Sequence, residues 1–122
     1  MSAAAPEQAP IPDDPEDLKL ITLARAALGR TGARQAACVR DIDGRAYVGT
    51  SVHLKHLRLS AIAVAMAMAV SSGATGIEAA ALLGKEQPTA EDLGILRDLA
   101  MAGAVIWWVD HHGTVQSMIE VR

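Results

Sequence analysis

Residues 34–51 read RQAACVRDIDGRAYVGTS, and this stretch decides the fold. Two short runs, 34–40 and 45–52, flank Asp41-Ile42-Asp43-Gly44. Asp-Gly between such runs is the strongest short-range hairpin signal, because both positions tolerate a positive φ. Strands are expected near 34–40 and 45–51. Cys38 alternates within the first of them among small apolar neighbours, which reads as a buried, inert thiol.

Working toward the N terminus, Asp14-Pro15-Glu16-Asp17 opens a helix: an Asp N-cap, Pro at the first helical position and acids in the first turn. Leu18, Ile21, Ala24 and Leu28 recur at helical spacing, so an amphipathic helix is expected over 14–30. Residues 1–12 begin with small residues, but they lack a basic segment and an apolar segment, and Pro6, Pro10 and Pro12 interrupt them. They read as a disordered tail ahead of a single domain over 13–122.

Toward the C terminus, residues 57–73 offer two readings. The small-large alternation of 65–70 suits a strand. Alanine and methionine favour helix and the run exceeds usual strand length, so a helix is expected over about 58–72, buried nearly all round. Residues 77–83 make a short strand buried on both faces. Pro88 and Thr89 open another helix, with Thr89 as N-cap and Asp92 close to completing a capping box. Leu93, Leu96, Leu99 and Ala100 supply its apolar stripe. A strand follows over 104–109, then a turn at Asp110-His111-His112-Gly113 and a last strand over 114–121. The order α-β-β-α-β-α-β-β predicts an α/β fold, a three-layer α-β-α sandwich around a five-stranded mixed sheet.

Composition bounds the function. The chain has 122 residues, enough for one core, and is 51% hydrophobic without a single phenylalanine. Two tryptophans and one tyrosine are poor provision for stacking a nucleobase. The net charge is -3 with no basic block, so no nucleic-acid partner is expected. The apolar run over 59–70 is shorter than the roughly 18 residues of a membrane span, and no membrane association is expected. One cysteine rules out an internal disulfide and a multi-cysteine zinc site, and the cytoplasm is the natural compartment.

The element order resembles that of the cytidine deaminase-like family, and residues agree in detail. The family's first hairpin runs through an apolar strand, a Lys-Asp-Gly-type turn and a strand ending in Tyr-x-Gly. The counterparts are Gln35-Ala36-Ala37-Cys38-Val39, Asp43-Gly44 and Tyr47-Val48-Gly49. Residues 60–73 match the alanine-rich helix that follows, with Ala61, Ala65, Ala69, Val70, Ser71 and Gly73 in register. The resemblance covers about 15–122. It implies a zinc ion held by one Cys or His and two further cysteines, with a glutamate as proton shuttle. Here Ser60 stands at the first ligand position, Ile62 at the glutamate, and Thr89 and Asp92 at the two cysteines. The loop residues that contact ribose become Ser51 and His53. The chain is therefore expected to lack zinc, any other cofactor and deaminase catalysis, leaving Ser51, His53 and Ser60 as a candidate ligand pocket. A homo-oligomer is expected, and a further protein partner stays open. The alternative is a deaminase or related hydrolase with a rearranged site.

Sharper readings of single residues each have a plainer competitor. His53 and His56 at i, i+3, with His111-His112, could form a rebuilt metal site, but a surface loop and a hairpin turn are the favoured explanation. Adjacent histidines on an extended chain point apart, against one shared ion. Ser60 as a nucleophile competes with Ser60 as a helix cap. Trp107 and Trp108 should face opposite sides of the sheet, one under a helix and one at an edge or subunit contact.

Overall fold

The structure, a computed structural model, describes residues 10–122. The tail expected over 1–12 lies outside the described residues except for Pro10, Ile11 and Pro12, and Pro12 is buried. Helix α1 (Pro15–Thr31) starts at Asp14, whose carboxylate accepts the Glu16 N–H at 2.8 Å. It runs through Gly29 and ends at Gly32, with φ 66°, where the Gly32 N–H reaches the Leu28 carbonyl. The hairpin follows as β1 (Ala36–Asp41) and β2 (Ala46–Thr50). Only Gly44 takes a positive φ in its turn; Asp43 does not. The Asp41 carboxylate supplies the missing constraint by accepting the Asp43 and Arg45 N–H groups and the Tyr47 hydroxyl. Burial raises the pKa of Asp41, but these donors outweigh it and hold it below the ordinary carboxylate range.

A two-stranded ribbon of β3 (Val52–His53) and β4 (Arg58–Leu59), absent from the sequence reading, comes next. It takes the residues expected to start the second helix, which instead begins at Ala61 as α2 (Ala61–Ser71) with Ser60 as N-cap. β5 (Ile77–Leu83), α3 (Ala90–Arg97), β6 (Ala100–Val109) and β7 (Val115–Glu120) complete the chain. Leu99 and Ala100 leave the expected stripe of α3, because β6 starts early and bends at Gly103, with φ 83°.

The five-stranded sheet has the order β2-β1-β5-β6-β7, parallel between β5 and β6 and antiparallel elsewhere. Alternation along the strands sorts side chains into two cores. On one face Leu20, Ala24 and Ala27 of α1 cover Ala36, Cys38, Ala79, Ala81, Trp107 and Val109. On the other, Ile62, Ala65, Met66 and Ala69 of α2 and Leu96 of α3 cover Ala37, Val39, Ala80, Leu82 and Ile106. The architecture is the expected three-layer sandwich. Trp107 lies under α1, with its indole N–H donating to Asp17 Oδ2 at 3.1 Å. Trp108 faces the other way, half-buried, and donates to the Gly84 carbonyl at 3.1 Å. Helix α2 is not buried all round, since Met68 is 45% exposed and Val70 55%. No helix among the described residues is long and apolar enough to cross a membrane.

Gly49 of β2 lets α2 settle onto the sheet. A methyl group there would stand 2.7 Å from the Ala65 amide nitrogen and 2.8 Å from Val64 Cγ1. Backbone cannot yield as a flexible side chain can. Gly49→Ala should therefore cost about 1–3 kcal/mol and lower the melting temperature by roughly 4–15 °C. Thermal unfolding followed by circular dichroism measures this, and an unchanged melting temperature would contradict the close-contact account.

Candidate functional site

The parallel strands β5 and β6 both point their carboxyl ends at one cavity of about 1020 Å³. Such crevices are the usual ligand sites of open α/β sheets. The loop after β5 contributes Lys85, Glu86 and Thr89, and the turn after β6 contributes His111. The ends of β2 and the ribbon supply Ser51, His53 and Arg58, and the N termini of α2 and α3 supply Ser60 and Asp92.

Ser60 and Asp92, distant in sequence, meet in the wall of this cavity. The Ser60 hydroxyl donates to Asp92 Oδ1 at 2.7 Å and accepts the Ala63 N–H at 3.1 Å. Asp92 Oδ2 accepts the Thr89 N–H at 3.2 Å, while the Thr89 hydroxyl accepts the Asp92 N–H at 3.0 Å. The second pair closes the full capping box of α3. Asp92 is only 2% exposed, so its carboxylate is enclosed with its donors.

Ile62 does not line the cavity. It is fully buried in the core beneath α2, among Ala61, Ala65 and Met66. Ser51 lines the cavity, but its hydroxyl accepts the Gln35 N–H at 3.1 Å. His53 lines it and is exposed, whereas His56 does not reach it. The cavity-lining residues include no Phe, Tyr or Trp. Sequence reasoning missed Gln35, Arg58 and Lys85, and the unforeseen ribbon brings Arg58 in; His111, weighed only as a metal ligand, reaches the cavity from the turn after β6.

The imidazoles of His111 and His112 do not point apart, because the chain turns there. Their ring centroids lie 4.0 Å apart. The Asp110 carboxylate beside them accepts the His112 and Thr114 N–H groups, and the Thr114 bond foremost holds its pKa below the usual range. Among the described residues, no group of three or more His, Cys, Asp or Glu is placed to hold a metal ion. Cys38 sits on the α1 side of the sheet, away from the cavity. Burial pushes its thiol up to about 12, partly opposed by the Arg40 charge.

Comparison with known proteins fits this geometry. The pattern of the family described as cytidine deaminase-like matches residues 13–113. The chain belongs to that family. Solved structures with the same fold include a cytidine deaminase from Burkholderia pseudomallei, 19% identical with a TM-score of 0.74, covering 85% of this chain and 91% of that one. The cytidine deaminase from Mycobacterium tuberculosis is 20% identical with a TM-score of 0.66, over 85% of this chain and 91% of that one. The one from Mycobacterium leprae is 20% identical with a TM-score of 0.63, over 80% and 89%. No curated protein matches the chain significantly.

The family implies a zinc ion, and the residues that the resemblance assigns to its ligand positions do not fit one. Zinc sites are built from thiolates, imidazoles and carboxylates. Two of the three positions, Ser60 and Thr89, offer neutral hydroxyls. The third, Asp92, has both oxygens committed to protein donors.

Ile62→Glu tests whether the position that the resemblance assigns to the proton shuttle can accept a carboxylate. Losing the buried isoleucine removes about 2 kcal/mol of burial. The new carboxyl would enter the core without a partner and would have to protonate or open the helix. A total loss of about 2–3 kcal/mol or more should appear as a lower urea midpoint. An unchanged midpoint would mean that position 62 faces a polar, open space.

Proposed function

We propose that the chain is a cytidine deaminase-like protein that does not deaminate cytidine and works by assembling with further copies of itself. The observation that carries this reading is Asp92, whose two oxygens bind Ser60 and Thr89 where the family's resemblance calls for metal ligands. Without a metal-activated water, the fold has no nucleophile to direct at a pyrimidine ring. Ile62 in the core removes the general acid-base group as well. One buried cysteine suits a cytoplasmic protein.

Purified protein should form no uridine from cytidine or deoxycytidine above background and should retain far less than one zinc per chain after dialysis. Uridine formation that disappears in His53→Ala or His56→Ala would establish the rearranged-site alternative instead.

A second reading rests on the cavity itself. Its volume suits a small molecule. Ser51, His53 and Ser60 would be its polar contacts, and the absence of an aromatic face argues against a nucleobase.

Self-association is supported by apolar side chains left in solvent on α2 and the ribbon. Met68 and Val70 are exposed, as are Leu54, Leu57 and Leu59. Large apolar side chains exposed on the same element are candidates for an interface. Light scattering at high micromolar concentration should report a mass above that of one chain. Met68→Glu with Val70→Glu should shift it toward the monomer, and a wild-type protein that is strictly monomeric would refute assembly.

A further inference from the structure

We infer that the Asp92 carboxylate, clasped between Ser60 of α2 and Thr89 of α3, replaces a metal ion as the cross-link between the two helix N termini, so that the cavity floor is set without metal. Three observations carry this.

The first is continuity. The Ala63 N–H donates to Ser60 Oγ, whose own proton goes to Asp92 Oδ1, so a backbone amide of α2 is relayed to a carboxylate of α3. The bond between the helices is 2.7 Å long, in the range of charge-assisted O–H···O⁻ contacts.

The second is electrostatic. Two helix N termini, each a positive dipole end, converge on one point. A zinc-thiolate centre would bring negative sulfur there, and the Asp92 carboxylate brings negative charge without the ion.

The third is closure. Among the described residues no buried side-chain nitrogen or oxygen lacks a hydrogen-bond partner, and the Ser60 hydroxyl and both Asp92 oxygens each have one from the protein itself. Gln35 adds a weak brace from the sheet: its Oε1 accepts the Ala61 N–H at 3.5 Å, and its own N–H donates to Ser51.

Thermal melts of Ser60→Ala, Asp92→Ala and the double variant, each with EDTA and with added zinc, test the clasp. The melting temperature should fall by roughly 4–8 °C for Ser60→Ala and roughly 8–15 °C for Asp92→Ala. The double variant should fall by clearly less than the sum, because the two side chains act as one unit. EDTA and zinc should leave the wild type unmoved. If Asp92→Ala does not fold, Ser60→Ala and its rescue by Ser60→Thr, which keeps the hydroxyl, decide the matter. Additive shifts, a Ser60→Ala protein that melts with the wild type, or a wild type that zinc stabilises or EDTA destabilises would overturn the inference. Cytidine turnover by the wild type would refute the non-catalytic reading and leave the clasp standing.

Discussion

Everything around the cavity depends on how closely α2 approaches the sheet. Gly49 offers no Cβ where the Ala65 amide passes, and Ala61, Ala65 and Ala69 present the smallest side chains that still make a helix. The strands reply in kind, with Ala37 and Ala80 beneath α2 and Val39, Ile77, Leu82 and Ile106 adding bulk. A helix pressed this near has little freedom to slide or tilt, because interiors are packed like crystals. Its N terminus is thereby fixed over the end of β2, and α3 packs against its side. The meeting of Ser60 and Asp92 is a consequence of that packing.

The opposite face is held by a different device. Arg40 of β1 reaches Asp17 Oδ1 at 2.8 Å and Glu78 Oε2 at 2.8 Å, and the Trp107 indole takes the other Asp17 oxygen. Burial pulls the guanidinium pKa down, but the Glu78 and Asp17 carboxylates more than offset it and keep the charge. Buried ion pairs seldom stabilise much against apolar packing of equal volume. What this one adds is position: it ties the first turn of α1 to β1 and β6 at once, where a stripe of alanines and leucines would tolerate several registers. The two helical layers are thus fixed by unlike means, one by small residues in contact and the other by directed charge.

The frame was legible wherever a local rule had no competitor. Asp14-Pro15 set the start of α1, Thr89 and Asp92 set the start of α3, and Asp43-Gly44 gave the hairpin. The ribbon was not legible, because each of its strands is two residues long and carries no period. The second helix was drawn too long and too buried for a related reason. Its uniform apolar character erases the contrast by which a buried face is recognised, and exposed Met68 and Val70 look no different in sequence from buried Met66 and Ile62. Residues 111–112 misled in the other direction, since the rule that neighbours point apart holds for extended chain and fails in a turn. As for the site, Thr89 and Asp92 read locally as a cap, and only the resemblance placed Ser60 beside them. The bond that joins the two helices is a tertiary fact that no window of sequence contains.

The residues at the altered positions make sense only together. A carboxylate at position 62 needs a polar partner, and in this fold that partner would be a metal-bound water. On the proposed reading, hydroxyls at 60 and 89 generate no such water, and an unpaired carboxyl beneath α2 would be a liability of several kcal/mol. Isoleucine resolves it by joining the core. Without thiolates the positive ends of α2 and α3 still favour negative charge, and Asp92 supplies it from a position where it also completes the capping box. Serine at 60 then suits the site better than alanine or cysteine, because its oxygen can accept from Ala63 and donate to Asp92 at the same time. On the proposed reading each of these residues removes a need that another creates, which is how a fold could keep its geometry with hydrogen bonding in place of coordination at its centre.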